Sequence, residues 1–464
     1  MKRVLRFVLP LIILLYAVCA LAVVSSIVPG DLWYDTSNNL IEAHGGGILK
    51  VGNTYYWYGE DRSNGSPTQT VSCYSSTNLM NWKFETHSLS TQSSGDLAAG
   101  RIVERPKVIY NAATAKYVMY MHIDNSNYSE AKVGVATCAT PNGQFTYLKS
   151  FQPNGHQSRD MTIFQDGTNA WLISLGEDSS GKINQNDRIY PLSSDYLSVQ
   201  PETYTFANAG REGLSVMKAG SYYFICSSAC SGWSPNQQKY TYSTSMNSGW
   251  NTTWTNVGNS NGYVSQTNFL LPVAGSSTTS YIYMGDRWNS GMLSDSRYVW
   301  LPLTVSGHTL TLNWYPSWLI NTSTGMITGT TAAVNYLKNL TTGLYIDGMG
   351  RTSNGSNAGQ YTSSSSGNQQ WCLEPAGSYY KIRNMATGLY LDGMGRTADG
   401  SICCQYAGTS SNNQQWQKVT SGSYVKFMNR ATGLYLDGAG ATSNGADLKQ
   451  YSSSSSANQQ WQIQ

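Results

Sequence analysis

From residue 40 to residue 305 the apolar residues keep no long three-to-four spacing of the kind an amphipathic helix needs. They stand in short runs separated by Gly, Asn and Ser, a pattern that predicts strands joined by turns. One aromatic run recurs five times: Tyr55-Tyr56-Trp57-Tyr58, Tyr117-Val118-Met119-Tyr120, Trp171-Leu172-Ile173, Tyr222-Tyr223-Phe224 and Tyr281-Ile282-Tyr283. Their first residues lie 62, 54, 51 and 59 positions apart. A further strand carrying Ser or Thr follows most of them, as in the stretches 71–76 and 240–244. Five irregular repeats of about 50–60 residues, each several strands long, predict an all-β, five-bladed β-propeller whose first strands line a central channel. It is assigned to residues 25–327.

A second, more regular repeat follows a connector that holds Trp314 and Trp318. Thr342-Gly343-Leu344-Tyr345-Ile346-Asp347-Gly348 returns at Thr387–Gly393 and at Thr432–Gly438, a period of 45 residues. Each repeat closes in Asn-Gln-Gln-Trp, with tryptophans at 371, 416 and 461. Residues 332–464 are therefore a separate unit.

The opening of the chain has a different character. Lys2, Arg3 and Arg6 precede an apolar run from Phe7 to Ala22, and Ala20-Leu21-Ala22 offers a cleavage site. Residues 1–24 read as a signal peptide and the protein as secreted. The run is short for a membrane span, and Val18 before Cys19 is too large for a lipoprotein site. Without the leader's three basic residues, the 29 Lys and Arg nearly balance the 26 Asp and Glu. That balance attracts neither nucleic acid nor an anionic membrane. Aromatic residues reach 12% of the chain, equal to the charged share; such surfaces suit neutral sugars, whose C–H faces stack on rings. Seven cysteines remain after cleavage, and an oxidising compartment permits disulfides. Cys226 and Cys230 are close enough in sequence to bridge, and Cys372 is expected to pair with Cys403 or Cys404. No cofactor or zinc site is expected, a structural calcium is left open with no ligand cluster to support it, and the protein is expected to be a monomer.

Candidate chemistry stands 10 to 15 residues ahead of each aromatic run. His44, Glu104, Asp160, Glu212 and Gln266 each head an apolar stretch. Five polar residues at one position of five blades converge on a channel mouth. Paired carboxyls there are the chemistry of glycoside hydrolysis: one stays protonated because its neighbour's charge raises its pKa.

The motifs that carry these residues resemble glycoside hydrolase family 43, and within it the exo-β-1,3-galactanase subfamily. They are Glu42-Ala43-His44-Gly45-Gly46-Gly47, Glu104-Arg105-Pro106-Lys107, Ser158-Arg159-Asp160-Met161, Arg211-Glu212-Gly213, Ser265-Gln266-Thr267-Asn268 and Gly285-Asp286-Arg287-Trp288. The resemblance implies an inverting enzyme on a five-bladed propeller, with Glu212 as general acid and Asp160 as the residue that tunes it. The family's usual blade-one aspartate base is missing at His44. The resemblance then implies that Glu104 and Gln266 hold the attacking water. Glu104 is the chemically easier base, and Gln266 could serve only through an imidic-acid form or by orienting water. Glu42 is a further candidate, His44 a structural residue of the channel, and Glu60, Tyr128 and Asp286 match sugar-contacting positions. The three C-terminal repeats resemble the ricin-type β-trefoil of carbohydrate-binding module family 13. Its tryptophans are core. Its sugar sites would combine Asp347, Tyr361, Asn368 and Gln369; Asp392, Tyr406, Asn413 and Gln414; and Asp437, Tyr451, Asn458 and Gln459. The expected protein is a secreted exo-β-1,3-galactanase held on neutral arabinogalactan-type polysaccharide by its trefoil. The alternatives are an α-L-arabinofuranosidase or β-xylosidase of the same family, and a non-catalytic galactan-binding lectin.

Overall fold

The computed structural model of the chain describes residues 26–67 and 70–464. The expected leader, with Cys19, lies outside the described residues. Twenty strands form five four-stranded antiparallel blades, each built from strands consecutive in sequence. The first blade holds His44–Val51, Thr54–Glu60, Val71–Ser76 and Lys83–Leu89 (β1–β4). The second holds Ile102–Asn111, Lys116–Asp124, Lys132–Cys138 and Thr146–Phe151 (β5–β8). The third holds Met161–Asp166, Asn169–Gly176, Asn186–Pro191 and Tyr204–Phe206 (β9–β12). Arg211–Ala219, Tyr222–Ala229, Lys239–Ser243 and Thr255–Asn256 (β13–β16) make the fourth, and Gln266–Ala274, Thr279–Arg287, Arg297–Ser306 and Thr309–Leu312 (β17–β20) the fifth.

The aromatic runs are the second strands, and the structure explains why they do not alternate with polar residues. Successive side chains of a strand point to opposite faces, and both faces of a blade are covered by neighbours. Tyr55 and Trp57 enter the cluster between the first and fifth blades, whereas Tyr58 enters the one between the first and second. Met119 packs toward the first blade and Tyr120 toward the third. Leu172 and Ile173 divide between the clusters on either side of the third blade, and Ile282 and Tyr283 between those on either side of the fifth. Five clusters thus close a ring. The seam between the first and last blades is held by Trp57, Trp82, Trp300 and Trp318, all at most 1% exposed. A pair of hydrogen bonds between the backbones of Ile27 and Trp318 ties the start of the propeller to the segment that leaves it.

After the short hairpin Trp318–Ile320 and Ile327–Gly329, the chain enters the trefoil at Val334. Its core is four sets of three residues at the 45-residue period: Leu337, Ile382, Phe427; Ile346, Leu391, Leu436; Ala358, Cys403, Leu448; Trp371, Trp416, Trp461. All twelve are fully buried. Fully burying one such side chain stabilises by roughly 1.5–3 kcal/mol, so the repeats hold one another and no single repeat could stand alone. The trefoil also shares a core with the propeller. Cys372 and Met385 pack into the cluster of Val264, Tyr263 and Trp314.

The expected disulfides are absent. All seven cysteines among the described residues are free. Cys226 points into the cluster between the fourth and fifth blades, while Cys230 lies exposed past the strand end. Cys403 fills a trefoil core position whose counterparts are Ala358 and Leu448, and Cys372 faces the other way, into the propeller. Alternation along the strand from Trp371 to Cys372 sends the two side chains apart.

Candidate active site

Four of the five channel residues lie on inner strands: His44 opens β1, Glu104 and Glu212 lie in β5 and β13, and Gln266 opens β17. Asp160 immediately precedes β9. The pairing register slips next to each of the four, between His44 and Gly47, Glu104 and Lys107, Glu212 and Ser215, and Thr267 and Phe269. A bulge inserts a residue and re-aims its neighbours; here it turns a strand-end side chain toward the channel mouth. The residue after the site residue takes a left-handed backbone in three blades: Gly45 (φ 59°), Arg105 (φ 56°) and Gly213 (φ 60°). Glycine adopts this freely, whereas arginine bears a strain of about 1–2 kcal/mol. Arg105 is held there by its own bonds. Its N–H donates to Glu60 Oε1 (2.8 Å), and its guanidinium reaches Asn268 Oδ1 (2.7 Å), Gln266 Oε1 (2.7 Å) and Asp160 Oδ2 (2.9 Å).

The mouth of the channel is a cavity of about 250 Å³ lined by Glu60, Arg62, Glu104, Arg105, Tyr128, Asp160, Glu212, Trp233, Gln266 and Trp288. A larger apolar cavity of about 570 Å³ beside the first blade is lined by Ile27, Trp33, Met80 and Trp82 among others, and contains none of the five channel residues. In the channel cavity Glu212 is half-buried. Burial first, and the Asp160 carboxylate second, push its carboxyl up to about 7. Asp160 is fixed in turn, because its Oδ2 accepts the N–H of Gly213 at 2.7 Å as well as the Arg105 guanidinium.

Glu104 is the opposite case. Burial alone would raise it, but His122 and Arg62 outweigh burial and hold its carboxyl well below the usual range. Arg62 donates to its Oε1 at 3.1 Å, Tyr128 O–H to the same oxygen at 2.9 Å, and His122 Nδ1 stands 3.4 Å from Oε2. His122 sits between Glu104 and Asp124, and these two carboxylates override its burial and raise it to about 9. Gln266 is spanned by donors: Arg105 and the Trp288 indole N–H (2.9 Å) both reach its Oε1, and its Nε2 donates to Ser228 Oγ (2.9 Å). Two donors on the oxygen leave one orientation of the amide.

Glu60 and Tyr128 line the cavity, Glu60 clamped by Arg62 and by the backbone of Arg105. Asp286 lies deeper, in a small space it shares with Trp233, Gln266 and Trp288. It is 1% exposed and outside this lining, with His44 Nδ1 (3.1 Å) on one oxygen and the N–H of Gly45 (2.6 Å) and Asn268 Nδ2 (2.5 Å) on the other. His44 stacks on Tyr298, ring centroids 4.6 Å apart. Glu42 is buried behind the wall, where it accepts the N–H of Arg62; desolvation raises it to about 7. Arg62, Arg105, His122, Trp233 and Trp288 were not picked as site residues from the sequence. A signal for one exists: Glu60, His122 and Asp286 all lie five residues after the first aromatic of their blade, opposite the inner-strand site residue.

In the trefoil, Asp347 and Tyr361 share the outer face of one strand pair, because Ile346 and Gln360 between them point to the core. Asp392 with Tyr406 and Asp437 with Tyr451 repeat the arrangement. Asn368 joins Asp347 by accepting the N–H groups of Gly348 and Gly350, and the backbone carbonyls of Asn413 and Asn458 accept the matching N–H groups of Gly393 and Gly438. Gln369, Gln414 and Gln459 do not belong among sugar-contacting groups. They are 0% exposed, with Oε1 taken by the N–H of Ser364, Thr409 and Ser454, and Nε2 by the carbonyls of Thr362, Ala407 and Ser452. They pin the turn that follows each tyrosine.

Comparison with curated proteins gives no match. The glycosyl hydrolases family 43 model matches residues 44–268, and the ricin-type β-trefoil lectin domain-like model matches 318–406 and 412–464. Among solved structures, an exo-β-1,3-galactanase from Clostridium thermocellum is 38% identical, with 94% of this chain and 99% of that one covered and a TM-score of 0.65. An exo-β-1,3-galactanase from Phanerochaete chrysosporium, solved with galactose, is 30% identical over 92% of this chain and 99% of its own, with a TM-score of 0.66. A channel-mouth carboxyl pair on five blades, the order of the motifs and these likenesses agree: the chain belongs to glycosyl hydrolase family 43 and carries a ricin-type β-trefoil.

Proposed function

We propose that this protein is a secreted, inverting exo-β-1,3-galactanase that releases galactose from the ends of β-1,3-galactan backbones, with the trefoil holding it on the polymer. One observation carries the reading: Glu212 keeps its proton to about pH 7, beside a fixed Asp160, on a cavity with two indoles. A protonated carboxyl there can donate to the glycosidic oxygen as the bond to the anomeric carbon breaks. On the opposite face an inverting reaction needs a water. Glu104 and Gln266 would hold it. Glu104 is ionised at every working pH, so it accepts a proton only once the water is bonding to the anomeric carbon and has become strongly acidic. Gln266 has its oxygen engaged by Arg105 and Trp288 and so offers its N–H side to the water. This favours Glu104 over an imidic-acid route. The substrate is drawn from the relatives, which are exo-β-1,3-galactanases at 38% and 30% identity. Secretion rests on the leader-like residues 1–24.

The experiment is turnover on β-1,3-galactan, arabinan and xylan, with the anomer of the first product followed by NMR. Release of galactose of inverted configuration from galactan alone is expected. Activity confined to arabinan or xylan, retained configuration, or binding without cleavage would each overturn the proposal.

A further inference from the structure

A second cavity, about 190 Å³ against about 250 Å³ for the catalytic one, lies where the fifth blade meets the first trefoil repeat. Its propeller wall is Arg287 at the end of β18, the following loop with Trp288, Asn289 and Asp295, and Arg297 at the start of β19. Its trefoil wall holds Gly350, Thr352 and Asn368 of the first repeat and Ala386 and Thr387 where the second begins. Trp288 lines both cavities, with its indole N–H on Gln266. The two spaces therefore adjoin across one ring, and that ring touches a channel residue.

The trefoil wall is the loop beside Asp347. The Asn368 carbonyl oxygen takes the Gly350 N–H at 3.0 Å, which fixes the amide and leaves its NH₂ as a donor. In the second and third repeats the equivalent Asn413 and Asn458 do not line this cleft, and their side-chain oxygens are buried without a partner. The cleft thus takes its amide from the first repeat, and Ala386 and Thr387 at the opening of the second repeat complete its trefoil wall. The cleft carries one cation, Arg287, that is held by carbonyls and has no carboxylate partner among the described residues. Arg297 is paired with Asp295, and Arg287 donates to the carbonyls of Val264 and Tyr263. Its walls are held in register, because Gly367 packs directly on Val264 and Asn259 Nδ2 donates to Gln370 Oε1 at 3.3 Å. A preformed space with an aromatic wall, an amide and a guanidinium already engaged by carbonyls fits a sugar, whose hydroxyls take hydrogen bonds from such donors.

We infer that this cleft is a second substrate subsite, which takes another sugar unit of the same galactan molecule whose end occupies the catalytic cavity. The inference rests on the proposed galactanase function. It separates the roles of the trefoil: the loop of Gly350, Thr352 and Asn368 serves the reaction, and the strand faces of the second and third repeats, at Asp392 and Asp437, serve anchoring to polymer. The unit is either a backbone galactosyl or a branch.

Thr352→Trp would fill the cleft, Asn368→Ala would remove its amide, and Thr397→Trp makes the same change in the second repeat, away from the propeller. KM is measured on soluble linear β-1,3-galacto-oligosaccharides and on β-1,6-branched ones, with β-1,3-galactobiose as a check that the catalytic cavity is intact. An increase in KM of about tenfold, the loss of one good contact, is expected for Thr352→Trp and a smaller one for Asn368→Ala, with Thr397→Trp like wild type. An effect on linear substrate assigns a backbone unit, and an effect on branched substrate alone assigns a branch. KM unchanged in both cleft variants overturns the subsite while leaving the galactanase reading standing; wild type inactive on every galactan removes that reading instead. If Thr352→Trp also loses galactobiose turnover, the smaller Asn368→Ala change decides by the same criterion.

Discussion

A carboxyl that ionises near neutrality ties activity to pH. With Glu212 pushed up to about 7 by burial and by Asp160, its acid form predominates below pH 7 and is lost above it. The rate should fall on the alkaline side with a midpoint near 7. Replacing Asp160 by Asn removes the repelling charge, favours the ionised form of Glu212 and should move that limb to lower pH. A limb that stays in place would mean Asp160 does not act on the acid. Glu212→Gln leaves a near-isosteric group with no proton to give, and the expected loss is on the order of 10²–10⁴-fold. Its effect on stability has the opposite sign. The folded carboxyl binds its proton more tightly than an unfolded one, so wild-type stability declines as pH rises from about 4.5 through about 7 and stays lower above. Glu212→Gln escapes this decline, and its melting temperature at pH 8 should equal or exceed that of wild type. A variant both inactive and less stable would point to a structural role.

At the scale of elements, two short devices build the sites. Bulges turn the ends of β1, β5, β13 and β17 inward, so a regular blade presents an irregular mouth. In the trefoil, the buried glutamine before each closing Gln-Trp fastens a turn. This distinguishes two adjacent amides. Gln414→Ala removes an amide that bonds the backbone on both sides, leaving the Thr409 N–H and Ala407 carbonyl unpaired. It should cost about 1–3 kcal/mol, read as a lower trefoil melting transition. Asn413→Ala should leave that transition nearly in place and weaken adsorption to insoluble galactan. The reverse pattern would return the glutamine to the sugar site.

The whole molecule is less divisible than two separate repeat systems imply. Cys372 and Met385 of the trefoil complete the cluster of Val264, Tyr263 and Trp314 between the last two blades. A chain ending at residue 331 would bare that apolar surface. It should melt lower than the full chain, retain turnover on β-1,3-galactobiose below its own melting temperature, and bind polymer weakly. An equal loss on disaccharide and polymer, measured well below that transition, would show that the trefoil supports the catalytic cavity as well as the polymer.

The sequence alone determined the strands, the two repeat periods and the five channel positions, four on inner strands and Asp160 just ahead of one, because each is a local pattern of side chains along the backbone. The aromatic runs at Tyr55, Tyr117, Trp171, Tyr222 and Tyr281 announce strands buried on both faces, and the 45-residue period announces threefold packing. Which of the polar residues act together was decided only by closure of the ring. Arg62 and Arg105 carry no signal of their own in a chain with 29 Lys and Arg, and His122 carries only its place five residues after an aromatic run. Arg62 and Arg105 matter because ring closure sets them against carboxyls and an amide of other blades, Glu104, Asp160 and Gln266, and His122 because its strand pairs with that of Glu104, where low dielectric magnifies each charge. The same distance in sequence hid the burial of Asp286, the separation of Cys372 from Cys403 and the cleft at Trp288. Each depends on the face a strand presents to a neighbour that the local pattern does not name.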